Sequence, residues 1–172
     1  LGEFAICAEV ALEMARAHIA EKTPSSLQEA TRLIDEATSH PRADLGRNFD
    51  SQLEFTRCQL LFATGHFEDA LPRIDRLVET LEGTGQRDLL WQAHLTAAAN
   101  LLDRGSHVLS KGRLRRAAAI LEGLASGLPA EHQRAFWQDV RRAQVKQLLA
   151  SMSDISSTEL VDAGRRGSSD DR

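Results

Sequence analysis

Six histidines, two cysteines, a scatter of carboxylates and two glycine clusters are the residues of this 172-residue chain that could do chemistry. A zinc-type site needs ligands on adjacent turns, and none of His18, His40, His66, His94, His107 or His132 lies three or four residues from another His or a Cys. Gly83-Thr84-Gly85-Gln86-Arg87-Asp88 approaches a dinucleotide fingerprint but has Asp88 in place of the third glycine. It also joins two helical patterns, so no strand aims a phosphate at it. The stretch from Gly105 to Lys111 approximates a phosphate loop with Ser110 where the second glycine belongs. Glu9 with Glu13, and Asp35 with Glu36, fit solvated helix faces better than a general acid–base pair. Cys7 and Cys58 form no Cys-x-x-Cys pair and read as free thiols of a reducing, cytoplasmic compartment, Cys58 at a small-residue packing position. No catalytic, cofactor-binding or metal-ligating residue is assigned on this basis, and the expectation is a protein that is not an enzyme.

Charge is a stronger signal than any of these. Residues 1–103 carry 9 Lys and Arg against 17 Asp and Glu, whereas residues 104–146 carry 9 against 3, so an acidic first part meets a basic end. Lys111, Arg113, Arg115, Arg116, Arg141, Arg142 and Lys146 make up most of that end. They would suit an acidic protein partner or nucleic acid, or form a solvated face balanced by the acidic half. No aromatic residue interleaves the arginines and no short helix-turn-helix is visible, which weakens the nucleic-acid reading.

The elements that must position these side chains are helical. Aromatics are only 5% of the chain, with no Tyr, while Ala, Leu, Arg and Glu are abundant. Over Glu3–Glu21, Phe4, Cys7, Ala8, Ala11, Leu12, Ala15 and Ile19 share one helix face. Further helices are expected at about 26–39, from about 50 to Gly65, and at about 67–81, where Pro72 removes one backbone donor. The pattern then predicts a fifth helix over about 87–109 with Gly105 inside it, and a sixth over about 113–125. Leu128-Pro129 opens a seventh, continuous through Phe136, Trp137, Val140 and Leu148. Residues 1–150 thus form one helical domain, and the Ser- and Asp-rich stretch 151–172 reads as a flexible tail or linker. No apolar run reaches the roughly 18 residues of a membrane span.

Three stretches align without a gap: Leu27 to Ala37, Phe67 to Leu77, and Leu114 to Leu124. Each reads large apolar, two polar, Ala, then apolar again, and places Ala30, Ala70 and Ala117 at equivalent positions where two helices approach closely. Gly65-His66-Phe67-Glu68-Asp69-Ala70 resembles the interhelical turn of the tetratricopeptide repeat family, and Lys111-Gly112-Arg113-Leu114-Arg115-Arg116-Ala117 is similar to it. The resemblance covers roughly residues 1–125, with spacings of 40 and 47 residues between the alanines where the family has about 34. It implies an all-α fold of about seven helices: antiparallel hairpins stacked as a right-handed solenoid. Leu128-Pro129-Ala130-Glu131 and the polar tail also look like the middle of large multidomain bacterial signalling or transcription regulators.

The resemblance implies a non-catalytic interaction or scaffold module whose partner is a protein or peptide segment, or another domain of its parent chain. By analogy with the repeat, Gln52, Phe55, Gln59 and Phe62 would line its binding surface. The two phenylalanines are seven residues apart on one helix face, and the same spacing also suits a buried core. Arg113, Arg116, Arg141 and Arg142 are the candidates at the basic end. A nucleic-acid-associated helical module and a structural spacer are the alternatives.

Overall fold

The computed structural model describes residues 2–39 and 48–152, with side chains from Ile6 onward. The described residues are all-helical, with eight helices and no strand. They are α1 (Gly2–Glu21), α2 (Pro24–Ser39), α3 (Phe49–Ala63), α4 (Phe67–Thr84), α5 (Arg87–Asp103), α6 (His107–Ser126), α7 (Ala130–Trp137) and α8 (140–152). Phe4 and the tail from residue 153 lie outside the described side chains. Met152, which composition places in the tail, is 4% exposed at the end of α8, where it joins the apolar core.

Contacts follow chain order. α1 packs on α2, α3 on α4 and α5 on α6, while α1 touches α3 and α3 touches α5. The core forms three consecutive clusters. The first joins α1, α2 and the start of α3, and the second α3, α4 and α5. The third joins α5, α6 and α8, with Phe136 and Trp137 of α7 packed against it. Burial of side chains along the longer helices, rather than propensity alone, holds them, while α7 contributes to the core only the partly buried Phe136 and Trp137.

Two helix boundaries differ from the sequence expectation. α5 ends at Asp103, and Gly105 stands in the following turn at φ +75° instead of inside a helix. There the Gly105 N–H donates to Leu102 O (2.9 Å) and the Ser106 N–H to Leu101 O (2.9 Å). Gly65, at φ +81°, makes the same turn, its N–H donating to Phe62 O (3.1 Å) and that of His66 to Leu61 O (2.8 Å). The counterpart of Gly65 is therefore Gly105, not Gly112, which lies within α6. The second break falls after Trp137, so the expected seventh helix is two. Asp139 Oδ1 accepts the backbone N–H groups of Arg141 (3.0 Å) and Arg142 (3.1 Å) and so caps α8.

The turn glycines also correct the repeat register. Ala30, Ala70 and Ala117 are all fully buried, but Ala70 corresponds to Ser110, while Ala117 corresponds to Leu77. Ser26, Ala70 and Ser110 are each the first buried residue of the second helix in a hairpin. Small side chains there allow close approach, and the Ser110 hydroxyl donates to Ala98 O across the hairpin at 2.8 Å. The ungapped alignment missed this because Ala-rich α6 offers a matching pattern seven residues, two turns, too late. Ala70→Leu and Ser110→Leu are each expected to overpack their hairpin and cost about 1–3 kcal/mol in urea melts. Neutral results in both would disprove the close approach.

The first hairpin solves its turn differently. Lys22 holds the left-handed conformation at φ +56°, one residue before the helix-capping Thr23, as Gly65 stands before His66. Thr23 Oγ1 accepts the Ser26 N–H (3.1 Å) and Ser26 Oγ accepts the Thr23 N–H (3.0 Å), a reciprocal cap for α2. A side chain in the left-handed region costs about 1 kcal/mol that glycine does not incur. Lys22→Gly is therefore expected to raise the unfolding free energy by up to about 1 kcal/mol; a lower melting temperature would contradict it.

Candidate functional site

The first helices of the three hairpins lie side by side, and Arg16 ties two of them together. Its side chain, 19% exposed, leaves α1 toward α3. Nε donates to Thr56 Oγ1 (2.9 Å), Nη2 reaches Gln52 O (3.3 Å) and Gln52 Oε1, and Nη1 pairs with Glu13 (2.7 Å). The guanidinium also lies 5.8 Å from the centre of the Phe55 ring. Each of these bonds removes an otherwise unsatisfied group from the α1–α3 seam, and Thr56 is itself fully buried.

Next to Arg16 a groove of about 310 Å³ crosses α1, α3 and α5. Arg16, Ile19 and Ala20 line it from α1, Gln59 and Phe62 from α3, and Thr96, Asn100 and Asp103 from α5. Its chemistry is mixed: apolar walls, two amide side chains, and a cation and a carboxylate on opposite helices. Gln59 is half-buried, and its Oε1, shielded from solvent beneath the groove wall, has no hydrogen-bond partner. Asn100 Nδ2 donates to Thr96 O (2.9 Å).

The four α3 residues picked out by analogy therefore divide. Gln59 and Phe62 line the groove, Phe62 also meeting the Phe67 ring at 5.8 Å between centroids. Gln52 lies one hollow away, engaged by Arg16. Phe55 is 2% exposed in the second core cluster and is a core residue, because its face of α3 meets α4 and α5 rather than the groove. Arg16, Thr96, Asn100 and Asp103 were not singled out from sequence. A single Arg beside the apolar stripe of the first helix was the one available signal, and its partners lie 36 and 40 residues away.

The basic end does not gather into one face of free cations. Arg113 pairs with Asp75 of α4 and lies 3.4 Å from His94 Nδ1. Arg142 stacks over the Phe136 ring at 4.0 Å and donates to Phe136 O (3.1 Å), and Lys146 Nζ sits 3.4 Å over the Trp137 ring. These contacts fasten α8 to α7. Arg116 and Arg141 are exposed, on different helices. Cys58 is fully buried, and burial pushes its thiol up to about 12, which leaves no thiolate near neutral pH. Cys7 is exposed rather than on the packed face of α1.

Among the described residues no helix is long and apolar enough to cross a membrane, and no three His, Cys, Asp or Glu side chains are grouped to hold a metal ion. Comparison with protein-family models, with curated proteins and with solved structures finds no match to this chain.

Proposed function

We propose that this chain is a non-catalytic protein-interaction module, a tetratricopeptide-like array of helix hairpins that binds an extended peptide segment across α1, α3 and α5. The observation that carries this reading is the groove over three successive first helices, lined by Gln59, whose shielded Oε1 lacks a donor. A buried carbonyl without a donor costs about 1–3 kcal/mol, and rotation of the Gln59 amide to meet a backbone N–H of an extended ligand would remove that cost. Phe62 supplies apolar contact beside it, while Arg16 and Asp103 would orient a segment carrying charges of both signs. Helix hairpins packed chiefly on their chain neighbours give such a surface without a deep pocket. The module would serve as a regulatory scaffold in a larger bacterial signalling protein.

A peptide selected from a random displayed library on the wild-type protein tests this. Its affinity is expected to fall by about tenfold in Gln59→Leu and in Phe62→Ala, each checked for native helicity by circular dichroism. Selected peptides that bind both variants as tightly as wild type would place recognition elsewhere. Nucleic acid remains the rival ligand. Binding to DNA or RNA that falls steeply with salt, and is lost in Arg116→Ala and Arg141→Ala, would replace the peptide reading.

A further inference from the structure

α1 is apolar on two faces. Ala8, Ala11, Leu12, Ala15 and Ile19 are buried against α2 and α3, yet Ile6, Val10 and Met14 stand 62%, 50% and 47% exposed on the opposite side at four-residue intervals. Val10 and Met14 border an open hollow of about 750 Å³ whose rim includes Glu9 and the Glu13–Arg16 ion pair, so its net charge is negative. α1 carries four Glu against one Arg, so this apolar stripe lies in an acidic surround.

A second exposed apolar pair lies in the last hairpin, with the opposite charge. Val108 and Leu109, at the start of α6, are 85% and 61% exposed. They border a hollow of about 310 Å³ shared with Leu71, Arg116 and the Arg113–Asp75 ion pair, which leaves the lining with a net positive charge from Arg116. Residues 104–116 carry five Lys and Arg and no Asp or Glu. Arg115 and Arg116 are exposed.

Each face alone would be an unassigned apolar patch, but the two are complementary in charge and sit at opposite ends of the helix order. We propose that the chain associates head to tail with a second copy of itself, the Ile6–Val10–Met14 face of one copy meeting the Val108–Leu109 face of the next. The contact is heterologous, because two different surfaces meet, so a bound pair leaves one face of each kind open and assembly continues beyond the dimer unless the ring closes. Apolar contact holds the pair, and the glutamates and arginines around it set which face accepts which. The peptide groove adjoins the α1 hollow and shares Arg16 with it, but Ile6, Val10, Met14, Val108 and Leu109 do not line the groove, so the two proposals are tested by different variants.

Sedimentation velocity over a concentration series tests this with Met14→Lys and Val108→Lys. Both positions are exposed, so the fold is expected to survive, and circular dichroism verifies it. Wild-type protein is expected to sediment as species larger than a dimer at high concentration, less so at high salt. Each variant alone is expected to associate at least about tenfold more weakly. An equimolar mixture of the two is expected to form a dimer of one Met14→Lys and one Val108→Lys copy and to stop there. In it the intact α1 face of Val108→Lys meets the intact α6 face of Met14→Lys, while the two altered faces repel. Wild-type protein that stays monomeric throughout would overturn the proposal and leave the faces to a different partner. Variants that associate like wild type, or a mixture that fails to dimerise, would overturn it as well, the latter pointing to a symmetric contact.

Discussion

Replacing Trp91 by Ala is expected to lower the unfolding free energy by about 3–5 kcal/mol, at the upper end for a core truncation. Trp91 is 1% exposed on α5 and belongs to the cluster that joins Leu95 and Ala98 to Leu114 and Leu121 of α6 and to Val145 and Met152 of α8. One side chain thus serves three helices, and no smaller neighbour can move in far enough to fill its volume, because all are already packed. Its indole N–H donates to Asp88 Oδ1 at 3.1 Å, an acceptor at the exposed start of α5 that water can satisfy after truncation. The loss is therefore almost wholly one of packing. A domain of this size has about 5–15 kcal/mol to lose, so the variant is expected to be marginally folded at room temperature. Trp91→Phe, which keeps a ring, is expected to lose less. Urea unfolding of the three proteins decides it: a Trp91→Ala loss below about 1 kcal/mol would mean that α8 does not rest on α5.

The second large effect is a loss of stability in mild acid, traced to His94. It is 1% exposed on α5, and burial, reinforced by Arg113 and Arg116, lowers its pKa from 6.5 to about 4. Arg113 lies 3.4 Å from Nδ1, so the neutral ring can accept there and a second positive charge would be repelled. The sign of the pH effect follows from where the proton binds. Between pH 6.5 and about 4 the unfolded chain takes up a proton at this position and the folded chain does not. Stability from this group is intact above 6.5 and falls as the pH is lowered through that window, by up to about 3 kcal/mol. His94→Gln removes the titration while leaving the carboxylates, so the difference between the two proteins isolates it. Wild type is expected to lose stability more steeply than His94→Gln from pH 6.5 downward; parallel curves would show that His94 is solvated or protonated in the fold.

The two effects share a cause. α5 is buried along most of its circumference, Leu89, Leu90, Trp91, Ala93, His94 and Leu95 all being buried with only Gln92 partly exposed among them, so its apolar residues do not form one narrow stripe. A helix packed on most sides is read from sequence by length and composition more than by periodicity. Its register relative to α6 is set by contact.

The helical class, the positions of α1 to α4, the turn at Gly65 and the proline start of α7 were all legible in the sequence, because 3.6-residue periodicity and glycine or proline punctuation are local properties of the chain. The end of α5 was not, since Gly105 and Gly112 both interrupt an apolar pattern and helix propensity treats them alike. Only packing of α6 on α5, with Ser110 bonded to Ala98, decides that the chain turns at the first of them. The break at Asp139 was similarly hidden: the capping residue is visible in sequence, yet the periodicity passes through it. α7 and α8 separate because Arg142 and Lys146 cover the Phe136 and Trp137 rings. The partners of charged residues were the least legible. Arg113 meets Asp75 across 38 residues and Arg16 meets Thr56 across 40, and composition could place these residues only in a basic end and on an amphipathic helix. The sequence by itself determined that helices form and roughly where α1 to α5 and α7 begin, since those are short-range decisions. Which faces bury Phe55 and leave Gln59, Val10 and Val108 at the surface was decided by tertiary structure, because the side chains that cover a helix face come from elsewhere in the chain.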